Sequence, residues 1–141
     1  MKRQEKYPNT KWFEFFNANP KGRLTDDCVV RTMVKAIRPV IGISYEGALK
    51  MLYESSLESG YSVNSKQNFS RVFKKFGFVK MNQPKHDDNT KFTGKEFCEK
   101  FNKGCYICII GGHHITAVVD GKIYDTWDCS DKTIGNYWIV G

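Results

Sequence analysis

The chain has 141 residues, 40% of them hydrophobic and 14% aromatic, which suits a single packed domain spanning residues 1–141. Basic side chains outnumber acidic ones 22 to 15, for a net charge of +7, and charged residues are an ordinary 26%. That composition excludes wholesale disorder and favours acidic partners, while the lack of any run of about 18 apolar residues excludes a membrane-spanning helix.

The basic residues lie scattered, in pairs such as Lys2-Arg3 and Lys74-Lys75, and no helix carries a continuous basic stripe. Nucleic acid is therefore a possible but not a favoured partner. The charged N-terminal stretch is not followed by an apolar run of signal-peptide length, and five cysteines is an odd number for a disulfide framework. Both features point to reduced thiols in a cytoplasmic protein, with one cysteine free for chemistry.

In chain order, Trp12, Phe13, Phe15 and Phe16 form a short helical or extended piece packed on the core, and residues 17–21 form a loop. A helix is predicted from about Asp27 to Arg38. Thr25 or Asp26 can cap it, Pro39 stops it, and Val29, Val30, Met33, Val34 and Ile37 make a wide apolar face. Cys28 falls in its first turn. Ser44 opens a second helix that ends at Gly60, and Ser65 a third that ends at Gly77 with Phe69, Val72, Phe73 and Phe76 inward. Residues 82–92 are a polar loop containing His86. Thr93 and Glu96 have capping-box spacing and open a fourth helix that closes near Gly104.

Beyond that point the hydrophobic period changes from helical to alternating. Tyr106–Ile110 reads as a strand, His114–Val119 and Lys122–Thr126 flank the hairpin signal Asp120-Gly121, and Tyr137–Val140 reads as a last strand. Helices over about 1–103 and an antiparallel sheet over about 104–141 make an α+β fold.

A cysteine nucleophile needs help to ionise, because a free thiol near pKa 8.5 is only a few per cent thiolate at neutral pH. The first turn of a buried helix gives such help through unpaired N–H groups and the helix dipole, and Cys28 occupies that place. The hairpin can supply a histidine. With Asp120-Gly121 as the turn, His114, Thr116, Asp125 and Trp127 share one side, and Asp125 sits diagonal to His114 within side-chain reach. The same register sets His113 opposite Asp128 on the other side. The sequence thus offers two His–Asp pairs, of which only one can face Cys28. Asp27, next to the cysteine, reads as a helix-start residue that stabilises the dipole.

The stretch His114-Ile115-Thr116-Ala117-Val118-Val119, followed by Tyr124-Asp125-Thr126-Trp127, resembles the histidine strand and the following strand of papain-like cysteine peptidases. Asp27-Cys28-Val29-Val30-Arg31, opening a helix, is similar to small papain-like proteins of bacteriophages and bacteria. The resemblance implies a papain-like fold and a hydrolase in which Cys28 attacks, His114 is the base, Asp125 orients the ring and Trp127 covers their bond. It implies a protein or peptide substrate and no cofactor. The family's oxyanion-hole glutamine, six residues before the cysteine, is replaced here by Gly22, leaving Asn17 or Asn19 as side-chain donors. The rival expectation is a papain-like scaffold reused to bind nucleic acid or an acidic protein.

Cys105-x-x-Cys108 invites a zinc site with Cys98 and Cys129. On a strand, however, alternation sends Cys105 and Cys108 to opposite faces, so no metal is expected.

Overall fold

In the computed structural model, which describes residues 1–141, the elements run α1 (Arg3–Lys6), β1 (Phe13–Phe15), α2 (Cys28–Ile37), α3 (Tyr45–Ser59), α4 (Lys66–Phe76), β2 (Val79–Met81), α5 (Gly94–Lys100), β3 (Cys105–Ile110), β4 (His114–Val119), β5 (Lys122–Asp125) and β6 (Ile134–Ile139). The fold is α+β, with five helices and one sheet of six strands.

Most helix ends follow from their capping residues. Ser44 Oγ accepts from the Gly47 N–H at 2.9 Å to start α3, and Ser65 Oγ accepts from the Asn68 N–H at 3.2 Å to start α4. Both helices end on a left-handed glycine, Gly60 and Gly77. At α5, Thr93 and Glu96 satisfy each other's backbone N–H reciprocally.

Helix α2 departs from the expected cap. Asp27, not Thr25 or Asp26, is its N-cap, and no side chain bonds the free N–H groups there. The Asp27 carboxylate is instead taken up by Arg31, by Asn19 Nδ2 at 2.8 Å and by the Tyr45 hydroxyl at 2.8 Å. Asp26 takes a left-handed backbone, φ 67°, which turns the chain just before the helix.

The strand order is β1-β5-β4-β3-β6-β2. Asp120 and Gly121, with φ of 48° and 76°, make the two-residue turn between β4 and β5, and Val119 pairs with Lys122 as the turn signal predicts. Strands β3, β4, β5 and β6 are antiparallel to their neighbours within this group. The sheet as a whole is not antiparallel, however, since β1 joins β5 in parallel and β2 adds to β6 at the far edge. Two strands from the mainly helical part of the chain therefore belong to the sheet, the first of them realising the extended alternative for the Trp12–Phe16 piece. Each has three residues, too few to display alternation, and all three of β2 are exposed.

Apolar clusters cover both faces of the sheet. One joins α2, α3 and α4 to Ile107, Ile115, Ala117 and Trp138; the other joins Phe13, Phe97, Cys98 and Tyr137 to Cys108, Ile110, Val118 and Ile123. Neighbours on β3 and β4 thus fall into different clusters, as a strand buried on both sides requires. Helix α2 is also pinned to β4 by a hydrogen bond from Thr32 Oγ1 to the Ile115 carbonyl at 3.2 Å. That bond sets the start of α2 beside the start of β4.

Candidate active site

The hairpin fixes the histidine. With Val119 opposite Lys122, Thr116 and Asp125 come together beyond the paired residues, and Thr116 Oγ1 donates to Asp125 Oδ2 at 2.6 Å. His114, one alternation further, places Nε2 2.6 Å from the same oxygen. The other carboxylate oxygen, Oδ1, accepts from the Thr126 backbone N–H at 2.7 Å. Cys129 Sγ lies 3.9 Å from Oδ2. A carboxylate held by this many donors has one orientation, and it passes that orientation to the imidazole.

Cys28 is the second partner of the His114 ring. Burial pushes the His114 pKa down, but the hydrogen bonds and charges of Asp125 and Cys28 outweigh it and raise the pKa from 6.5 to about 9. The ring therefore holds its proton above neutral pH.

The other cysteines contrast with Cys28. All five are free, but Cys28 is half-buried and the remaining four are buried. Burial pushes the Cys98 thiol up to about 12 and holds Cys108 and Cys129 well above the ordinary range. Cys105 is also raised by burial.

Trp127 lies beside His114, ring centroids 5.1 Å apart. Cys28, His114, Thr126 and Trp127 line an open cleft of about 250 Å³, together with Leu24, Asp26, Arg31 and Arg3. A larger hollow of about 490 Å³ surrounds His86, Phe92 and Glu96. There His86 stacks on Phe92 at 4.0 Å and sits 2.8 Å from Glu96 Oε2, a pairing invisible in a sequence where His86 reads as a loop residue. That hollow is lined by no cysteine, serine or threonine.

The other expected residues fare differently. His113 is exposed in the turn before β4, and the His113–Asp128 pair does not form. Strand β5 ends at Asp125, so the ladder never reaches Asp128, whose Oδ1 accepts from the Ser130 N–H at 3.0 Å. Neither asparagine lines the cleft. Asn17 Nδ2 bonds the Arg23 carbonyl at 3.1 Å, and Asn19 Nδ2 is shared between Asp27 and the Tyr45 hydroxyl. Burial raises the Tyr45 pKa to about 12, helped by its bond to Asp27, so this hydroxyl remains a donor. The Cys28 N–H, unpaired in the first helical turn, is the backbone donor left at the sulfur.

His114, Asp125 and Cys129 also offer ligand atoms within 4.8 Å of one another. A metal there would have to displace the bonds from His114 and Thr116 to Oδ2 and ionise a thiol that burial keeps protonated. The arrangement fits a proton-transfer chain better than a coordination site. Cys105 and Cys108 lie three positions apart on β3, facing opposite sides of the sheet.

The bonds of Thr116 and Cys129 to Asp125, the place of Arg3 and the pairing of Asp27 with Arg31 and Tyr45 were not anticipated from the sequence. For Thr116 the signal was present, since the hairpin register already placed it facing Asp125. No known family model matches the chain, and neither the curated proteins nor the solved structures contain a match to it.

Proposed function

We propose that the chain is a papain-like, thiol-dependent hydrolase acting on a peptide, isopeptide or amide carbonyl, with acyl transfer as a variant of the same chemistry. The observation that carries this reading is the sharing of one imidazole, His114, between the half-buried Cys28 thiol and the clamped Asp125 carboxylate. The proton shared by Cys28 and His114 rests on the ring as the sulfur attacks the carbonyl carbon, and the carbonyl π pair moves to oxygen, where the Cys28 N–H stabilises it. His114 gives its proton to the leaving nitrogen as the C–N bond breaks. It then takes a proton from water, or from an acceptor amine, which attacks the thioester and releases Cys28. Asp125 holds the ring and stabilises its cationic form throughout.

Iodoacetamide labelling followed by peptide mass analysis tests this. Cys28 should react faster than Cys98, Cys105, Cys108 and Cys129, whose burial disfavours thiolate. His114→Ala should slow Cys28 by about tenfold or more, the usual size of a lost activating base, while His113→Ala leaves it within about twofold. Equal labelling of all five cysteines in the folded protein would sink the reading.

One observation favours a second reading. Asn17 and Asn19 do not line the cleft, so oxyanion stabilisation loses these side-chain candidates, and losing one such donor typically costs about 10²–10³ in rate. A papain-like scaffold that binds nucleic acid or an acidic protein would tolerate that loss. Retained biological activity in Cys28→Ser, together with an affinity that falls steeply with salt, would favour binding over catalysis.

A further inference from the structure

In the cleft the histidine side is the side from which a leaving group departs, because the group that donates a proton must lie next to the atom that receives it. Arg3 stands on that side. Its Nη1 is 3.5 Å from Thr126 Oγ1, and Thr126 lies in the chain between Asp125, which holds His114, and Trp127, which flanks it.

The other arginine of the cleft, Arg31, is neutralised by the buried Asp27 carboxylate. Arg3 forms no ion pair, and its one side-chain hydrogen bond is the long contact to Thr126. A half-buried guanidinium with most of its donors unused, aimed at a cleft that holds a nucleophile, is suited to a carboxylate. The opposing charge on the cleft wall is Asp26, exposed and in a left-handed conformation that asparagine also adopts.

We infer that Arg3 selects substrates whose leaving portion carries a carboxylate, either an acidic side chain just beyond the scissile bond or a free terminal carboxylate. The inference rests on the hydrolase reading above, and it assigns Arg3 to specificity rather than to bond cleavage.

A pair of haloacetyl reagents, one anionic and one neutral, tests it. In both, the Cys28 sulfur forms a bond to the methylene carbon as the C–I bond breaks and iodide leaves; the reagents differ in a carboxylate against a neutral amide. The ratio of iodoacetate to iodoacetamide rates at Cys28, normalised to a free thiol, should fall about fivefold in Arg3→Gln, the size of one partly exposed charge contact. It should be largely kept in Arg3→Lys and should rise in Asp26→Asn. Iodoacetamide rates should stay within about twofold across these variants, which also reports intact folding.

Two peptides then separate the sources of the carboxylate. One carries an internal glutamate and an amidated end, the other no acidic side chain but a free terminus. The true source should slow iodoacetamide labelling in the wild-type protein and lose that protection in Arg3→Gln. A ratio unchanged in Arg3→Gln, or protection by neither peptide, overturns the inference while leaving the nucleophile in place. A Cys28 indifferent to His114→Ala overturns the hydrolase reading itself.

Discussion

Asp125 illustrates how much of the site depends on bonds that a sequence does not display. Its pairing with His114 follows from counting back from the Asp120-Gly121 turn, because a two-residue hairpin leaves no freedom in register. The network around Asp27 was not legible. Asn19, Arg31 and Tyr45 come together only because the loop before α2 turns at Asp26, and nothing in residue type or spacing announces a left-handed aspartate. The raised His114 pKa has a consequence for stability that can be signed. In the unfolded chain a histidine titrates near 6.5; in the fold it holds its proton to about 9. The stabilisation is fully present below about pH 6.5 and is lost as pH rises through 9. Stability should therefore fall by up to about 1.4 kcal/mol per pH unit between about pH 6.5 and 7.5, above which ionising unfolded cysteines add to the slope. Denaturant unfolding at several pH values should show this slope, and His114→Ala should flatten it.

Among the elements, the helices with polar caps and terminal glycines were the most readable, since each signal acts locally. The hairpin was equally plain. Strands β1 and β2 were not, because their pairing is decided by β5 and β6, which lie far along the chain. The β4–β5 turn is also the mechanical basis of the site. Gly121 has φ 76°, and a Cβ there would meet the Cys98 carbonyl oxygen at 2.9 Å and Asn102 Cα at 3.1 Å. Both are backbone atoms and cannot swing away. Gly121→Ala should cost about 1–3 kcal/mol in thermal or chemical unfolding and loosen the His114–Asp125 pair with it. A Cys28 labelling rate that survives unchanged in the folded variant would show that the turn does not set the site.

For the whole molecule, an α+β domain was legible from the change of hydrophobic period near residue 104, but the mixed sheet was not. Apolar material on both sides of β3 and β4 makes one structure of the two clusters. Leu52 and Phe97 are fully buried on opposite sides of the sheet. Leu52→Ala should cost about 2–5 kcal/mol and Phe97→Ala about 3–5 kcal/mol, and each should shift a single transition seen alike by tryptophan fluorescence and circular dichroism. Two separate transitions would mean that the layers unfold independently. The position of β6 has a further consequence, for the timing of folding during synthesis. Although it follows every other element described, β6 lies between β3 and β2, so Val79–Met81 has no strand to pair with until Tyr137–Ile139 have left the ribosome. Nascent chains stalled before that point should be protease-sensitive at β2 even though their helices are already complete.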